Sequence, residues 1–493
     1  MGALAAIVSK NGRNVVPEII KMLSALRHRG SHLHGIATDK TTIIARDLLE
    51  LSGLSRDVVS DIAIGHNFRR LLPEDNPQPV EIGNMKAILE GRVYSPPLGK
   101  SEVYRISEHY GEDGVRRVVA ETEGSFVIAL LSGKRIVIGR DAVGAAPLYF
   151  SENEQFIALA SERKALWSIG ARDEDIKSFP PGSMANITGK GITFRQIKAI
   201  EAPRVKPVRD EESILEALHT LLLEAVKRRL YGLEGRISVA FSGGLDSSVI
   251  AALLKRAHVD TLLVTVGLEG SRDLEHAEKV AREIGLRVRT ETYTLRDVEG
   301  VLPRVLWLVE EANSLKVSIK IPEYWATEVS LKMGCRAIFF GEGGDELFGG
   351  YHKYLKEYKR SPEDAEMALF LDIINLYRSL EISEKICAFH GIEAMFPYAD
   401  YELITFALKI PIPMKISSAD DPLRKRILRR YAEYTGLPAE VHLRPKRAIQ
   451  YGTGVSKALK KIAKRSGLSI QAFINKVFKE IQVSGASDIN LLS

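Results

Sequence analysis

The stretch that decides the fold is ISVAFSGGLDSSVIAALLKRA, residues 237–257. Ile237 to Phe241 is a short apolar run of the kind that forms a buried strand. Ser242-Gly243-Gly244-Leu245-Asp246-Ser247-Ser248 follows as a turn of small residues, and Val249 to Ala257 continues as an apolar helix. Such a strand–turn–helix junction aims free N–H groups and the positive helix end at whatever lies above it, usually phosphate. The turn lacks the lysine with which a phosphate loop grips β/γ-phosphates, and it carries an acid, Asp246, instead. A carboxylate beside phosphate calls for a cation between them.

A second junction, FFGEGGDELFGGY at 339–351, has the same plan. A strand ends in glycines that let backbone approach a ligand, and Glu342, Asp345 and Glu346 crowd the turn. Mg²⁺ binds through one or two carboxylates plus phosphate oxygens, so Asp246 and Asp345 are expected to share magnesium on a polyphosphate. Solvated acids in two unrelated turns are the bland alternative. It is disfavoured because both turns fall at strand ends of one expected sheet.

Around these junctions helices and strands alternate. Helix 211–230 precedes strand 236–241; strand 261–267, helix 273–285, strand 287–293, helices 297–312 and 322–333, and strand 335–340 follow. Alternation predicts a doubly wound parallel α/β sheet, with a helical C-terminal part beyond it. Residues 1–200 read differently, as short strands at hairpin spacing with helices near 15–28 and 103–121, an antiparallel α+β domain. The strands are ALAAIVS, TTIIARDLL (41–49), IAIGHNF, KAILEGRVY, GSFVIALL, RIVIGRD, APLYF (146–150), FIALAS and SMANIT. The polar stretch EAPRVKPVRDEE, 201–212, reads as a linker to the second domain at 213–493.

The chain's 493 residues suffice for two or three domains, and 45% hydrophobic with 27% charged residues is ordinary globular composition. No apolar run reaches membrane-spanning length and no signal pattern opens the chain, so a cytoplasmic protein without a membrane partner is expected. Cys335 and Cys387 cannot form a disulfide framework and lie outside any metal-ligand spacing. The net charge of +6 is spread out, and its densest run, KALKKIAKR at 457–465, reads as a solvated helix face rather than a nucleic-acid site. The excess of Lys and Arg suits an anionic substrate such as ATP.

SGGLDSS resembles the pyrophosphate-binding loop of ATP pyrophosphatases. Together with GLEGSRDLEHAEKVA (267–281), GEGGDELFGGY (341–351), EAMFPYAD (393–400) and RPKRAIQYGTGV (444–455), it makes nearly the whole chain resemble asparagine synthetase of the glutamine-hydrolysing type. The resemblance implies an N-terminal Ntn-hydrolase-like antiparallel sandwich of glutaminase type. It also implies an ATP-pyrophosphatase domain that adenylates a carboxylate and lets ammonia displace AMP. Ser242, Gly243, Gly244, Asp246, Ser247 and Ser248 match the pyrophosphate loop; Phe241, Val266, Phe340 and Gly341 fall where members line the adenosine pocket. Glu342 matches the acid linked to forming and aminating the acyl-adenylate, a base for ammonium. Asp345 matches the second magnesium acid, and Lys425 in DPLRKRILRR a cation that offsets charge on the adenylated centre. The implied substrates are ATP, aspartate and ammonia; a separate ammonia source and a homodimer are left open.

Three departures touch the carboxylate substrate. In EEANSLKVSIKIP (310–322), Asn313 and Ser318 stand at the family's Asp and Arg positions, and Met395 replaces an Arg. An acyl-adenylating enzyme for another acid or amine, as the β-lactam synthetases are, is therefore the alternative. A silent scaffold is a third reading, opposed by the retained Asp246, Glu342, Asp345 and Lys425.

The first domain departs further. Gly2 stands where the family has its nucleophilic Cys. In LEGRVY, Glu90 replaces Asn and Arg92 replaces Glu; Lys100 stands for the Asp that would hold the glutamine amino group. Arg69 or Arg70, after Gly65-His66, remains for the glutamine carboxylate. Exchanging a carboxylate for a guanidinium reverses the pocket's charge, so no glutaminase activity is expected. ETEGSFVIALLSG, GRDAVGAAPLYF and ASERKAL keep the scaffold, which leaves a structural or docking role. His28, His32, His34 and His66 lack acids or Cys at ligand spacing, and no metal is expected there.

Overall fold

The computed structural model describes residues 2–70, 75–95, 113–202, 210–445 and 449–484. The chain divides into two compact units, Met1–Ile200 and Glu201–Ser493.

Among its described residues the first unit stacks two antiparallel sheets. One has the order β11 (Lys177–Ser178), β9 (Tyr149–Glu152), β10 (Phe156–Ala160), β1 (Gly2–Ser9), β4 (Ile62–Phe68), β2 (Leu33–Thr38), β3 (Thr42–Ala45). The other runs β13 (Gly191–Gln196), β12 (Ser183–Thr188), β8 (Arg135–Arg140), β7 (Glu123–Ser132), β6 (Met85–Ser95), β5 (Val80–Ile82). Every residue of β1 is buried, and its period of two sorts them. Ala3, Ala5 and Ile7 pack on Ile19, Met22 and Leu23 of helix Val16–Ala25. Leu4, Ala6 and Val8 join Ile88, Val127 and Ala129 in the core between the sheets. On the far face, Phe126 and Ile128 meet Val115, Val118 and Val119 of helix Gly114–Glu121. Helix, sheet, sheet, helix is the layering of the expected Ntn-hydrolase-like sandwich.

Some elements differ from the sequence reading. The strand expected over 41–49 stops at Ala45, because Asp47 accepts the Glu50 N–H and caps a helix, Leu48–Leu54. APLYF pairs only from Tyr149 onward. β2, β5, β11 and β13 were not expected, being short or polar on one face. Residues 103–112 and 203–209, in the expected helix and linker, lie outside the described residues.

Among its described residues the second unit holds one parallel sheet, ordered β16 (Arg287–Tyr293), β15 (Thr261–Leu268), β14 (Ile237–Ala240), β17 (Ala337–Phe339), β18 (Glu393–Met395). The chain proceeds from β14 outward to β16, then returns to lay β17 on the other side of β14. That reversal is the switch point where doubly wound sheets bind ligands. The helix expected from 322 instead spans Ser314–Lys332 with Pro322 inside it, and the one before it spans Leu295–Val309. Asn313 caps the former, accepting the N–H groups of Leu315 and Lys316, which starts the helix eight residues early. Helices make up most of the chain after Gly344.

Candidate active site

β14 and β17 are neighbours with Val239 opposite Phe339, so both Gly-rich loops leave the sheet side by side. The first turns at Gly243, whose φ of +66° favours glycine and whose absent Cβ would stand 2.9 Å from Ala277 Cα. Helix Leu245–Arg256 then begins, placing Asp246 in its first turn, where N–H groups have no intrahelical partner. The second loop packs against that acid. A Cβ on Gly341 would lie 2.9 Å from Asp246 Cβ, and one on Gly344 2.6 Å from Asp246 Oδ1.

Asp345, in the short helix Gly344–Phe348, meets Asp246 at a single cation. The Lys425 ammonium donates to Asp246 Oδ1 and Oδ2, both at 2.6 Å, and lies 2.5 Å from Asp345 Oδ1. Burial pushes the lysine's pKa down, against the pull of Asp246. The backbone presenting it is costly: Arg424 and Lys425 are both left-handed, at φ 56° and 54°, roughly 1–3 kcal/mol each. Gly350 completes the arrangement, since a Cβ there would lie 1.9 Å from Asp345 Oδ1 and 2.3 Å from Lys425 Cε.

These acids fit Mg²⁺. Among the described residues no group of three or more His, Cys, Asp or Glu could hold a metal alone. Two carboxylates converging on one positive charge are what an ion sharing its shell with phosphate requires.

Phe241 and Phe340 are buried just past the ends of β14 and β17, and Val266 on neighbouring β15, Phe241 N–H donating to Val264 and Phe340 N–H to Met395. Phe340 also stacks on Phe396 at 5.6 Å. Ser242, Gly244 and Ser247 share the loop, the Gly244 N–H donating to Ser242 Oγ. Ser248 is placed differently: it is fully buried, and its N–H donates to the Gly244 carbonyl. It shapes the first helical turn from inside. Next to Gly350 and Arg424 opens a cavity of about 1200 Å³, with Lys457, Lys461, His352 and Tyr451 in its wall. Asp273 pairs with Arg444 there at 2.8 Å, and a Cβ on Gly452 would lie 1.7 Å from Asp273 Oδ2, which fixes glycine at 452.

Glu342 sits in a polar cluster that the sequence reading missed. Lys320 Nζ donates to it at 2.5 Å, and Ser379 and Ser383 donate at 3.0–3.1 Å. Lys320 also holds Glu323, at 2.8 Å, and Ser383 donates to Glu323 at 2.8 Å. Burial would raise the Glu342 pKa, but Lys320 and the serines hold it below the ordinary value. Burial, opposed by Lys320 and aided by Glu342, carries Glu323 up to about 7. The only sequence signal was a Lys and a Glu three apart within the apolar stretch SIKIPEYW.

The three departures serve local structure. Asn313 caps its helix, Ser318 donates to Leu315 O at 2.7 Å, and Met395 is fully buried opposite Phe339.

In the first unit Gly2 N–H donates to Glu90 at 2.7 Å, and Arg29 Nε to Gly2 O at 2.6 Å. Burial works to raise the Glu90 pKa, yet neighbouring positive groups, His66 and Arg29 among them, hold it down to about 2. A Cβ on Gly2 would stand 2.1 Å from Asn67 O. Glu162 is enclosed by Arg29, His28 and Lys164. His34 meets Asn67 at 2.7 Å, and His32 accepts the Arg70 N–H at 3.0 Å. Arg92 is buried, Arg69 is half-buried, and Lys100 lies outside the described residues.

Known proteins resemble the chain along its length. The asparagine synthase profile matches residues 217–383 and 361–478, more than half of the chain, and a glutamine amidotransferase domain profile matches 98–216. A Methanocaldococcus jannaschii protein provisionally named asparagine synthetase [glutamine-hydrolyzing] 1 is 27% identical over 98% of this chain and 99% of its own. The Rattus norvegicus asparagine synthetase [glutamine-hydrolyzing] is 29% identical over 77% of this chain and 71% of its own. Among solved structures, the Bacillus subtilis glutamine phosphoribosylpyrophosphate amidotransferase aligns with 58% of this chain and 80% of its own, at 15% identity and a TM-score of 0.34.

Proposed function

The chain belongs to the asparagine synthetase family, ATP-using ligases that form carbon–nitrogen bonds, and from that premise we propose that it amidates aspartate with ammonia. ATP would be cleaved to AMP and pyrophosphate through a β-aspartyl-adenylate. The observation that carries this reading is the convergence of Asp246 and Asp345, from the loops of two adjacent parallel strands, on one positive charge.

In this reading Asp246 and Asp345 hold Mg²⁺, which when bound draws charge off the phosphate oxygens. The loop N–H groups and Ser242 and Ser247 orient the pyrophosphate, and Phe241, Val266 and Phe340 present an apolar wall to the adenosine. Lys425 offsets negative charge at the adenylated centre. Glu342, ionised and partly exposed, accepts a proton from ammonium so that the nitrogen lone pair can attack the acyl carbon.

We propose further that residues 1–200 form a glutaminase-like domain that does not hydrolyse glutamine. The crowding at Gly2, the ionised Glu90 beneath it and the buried Arg92 support this, leaving ammonia to come free or from a separate source. A different carboxylate or amine is the second reading, favoured by Asn313, Ser318 and Met395 being engaged in local structure. Exchange of labelled pyrophosphate into ATP, scanned across amino acids, decides between the two. Aspartate-dependent exchange with asparagine release on adding ammonia is expected; exchange with another acid alone would overturn aspartate.

A further inference from the structure

The amination step releases more protons than one carboxylate can take. Ammonium must lose one to become a nucleophile, and the new nitrogen must lose another after it bonds to the acyl carbon. Glu342 is a single acceptor, and a poor one, being held ionised by its neighbours. Directly behind it lies a second carboxylate.

Lys320 Nζ lies 2.5 Å from Glu342 Oε1 and 2.8 Å from Glu323 Oε2. Ser383 Oγ touches both acids, at 3.0 Å from Glu342 Oε2 and 2.8 Å from Glu323 Oε2. Glu342 is the outer of the two, its side chain 18% exposed against 6% for Glu323. The cluster thus runs from the site's surface inward through one hydroxyl.

We propose that Glu323 is the second proton acceptor of amination, reached from Glu342 through the Ser383 hydroxyl, with Lys320 holding both carboxylates in place. An ammonium N–H bond breaks and its proton goes to Glu342. Glu342 passes a proton to Ser383 Oγ as the serine gives its own to Glu323 Oε2. The ammonia lone pair forms the C–N bond, and the acyl C–O bond breaks with its electron pair leaving on AMP. Glu342, freed, takes the second proton from the new nitrogen. Lys320 stays charged throughout: burial works to lower its pKa, but the two acids carry it up to about 12. Glu323 faces Lys320 on its own helix, Glu342 from the loop, and Ser383 and Cys387 from helix Tyr377–His390, on which Ser379 meets Lys320 and Glu384 acts on Cys387.

The inference rests on the proposed amidation, and the test separates the two. For wild type, Glu323→Gln and Ser383→Ala, both half-reactions are measured against pH: amino-acid-dependent exchange of pyrophosphate into ATP, and amide formation with ammonium. Exchange makes no demand on the relay. Both variants should lose about tenfold or more in amide formation and less than about threefold in exchange, as losing a proton acceptor predicts. The wild-type amination limb near pH 7 should vanish in Glu323→Gln. In the ligand-free wild type, an infrared carboxyl band should also titrate near pH 7 and be missing from Glu323→Gln. Equal losses in both half-reactions, or undiminished amination, overturn the relay. Absence of exchange in the wild type with every amino acid overturns the amidation reading and the relay with it. Should Glu323→Gln not fold, Ser383→Ala decides alone.

Discussion

Lys425 Nζ lies 2.6 Å from both carboxylate oxygens of Asp246. The same ammonium reaches Asp345, so removing one charge from Asp246 leaves the lysine a partner and the fold a paired core. Asp246→Asn should keep its thermal midpoint close to wild type and lose about 10²-fold or more in pyrophosphate formation, as loss of a ligand for the phosphate-bound ion predicts. Pyrophosphate release at near wild-type rate would remove Asp246 from the metal assignment.

Glu342→Gln removes the proposed outer proton acceptor while keeping its shape. Ser379 and Ser383 can still donate to the amide oxygen, so the loop should hold. ATP binding, followed by isothermal calorimetry, should persist while ammonia-dependent amide formation drops about 10²-fold or more. An unchanged rate would mean that another group takes the proton.

Gly2→Cys should not create a glutaminase. Its Cβ would overlap the Asn67 carbonyl at 2.1 Å, and the strand must shift before any thiol can be presented. Overpacking of this kind costs about 1–3 kcal/mol, so the variant should also melt earlier. Glutamate release from glutamine is the assay, alone and combined with Glu90→Asn, Arg92→Glu and Lys100→Asp. Release by the wild type would refute the ammonia-dependent reading.

Lys415 offers a test of stability against pH. It ends helix Ile412–Lys415 and is 3% exposed; burial, only partly offset by Glu366, carries its pKa from 10.5 down to about 7. The folded state therefore binds fewer protons than the unfolded one between those values. Stability should rise across that window by about 1.4 kcal/mol per pH unit from this group, with the penalty complete below pH 7. Lys415→Met should resist urea better than wild type at pH 7, and its advantage should shrink by pH 9.5. A pH-independent difference would show that burial of the charge is not the cause.

The two Gly-rich junctions were legible because strand, small-residue turn and helix follow in uninterrupted order, and because an acid inside such a turn is chemically odd. Periodicity also gave the parallel sheet and its helices. Pro322 misled the reading: proline suits a helix start, yet here Asn313 caps earlier and the proline sits inside. That misplacement left Lys320 outside the expected helix that holds Glu323, so the pair shared no element. Their partners, Ser379 and Ser383, lie some sixty residues on, and nothing local links hydroxyls to carboxylates across that distance. Likewise β18 is three residues long, too short to carry a pattern.

Gly350 has no group to donate, accept or ionise, yet any larger side chain there would meet Asp345 at 1.9 Å and Lys425 at 2.3 Å together. A substitution at this position should therefore cost more than its lack of chemistry suggests. A single methyl at 350 would leave every proposed site residue encoded and push Asp345 and Lys425 out of place. Among chance variants of this chain, inactive proteins with an intact set of reactive side chains should trace back to a glycine.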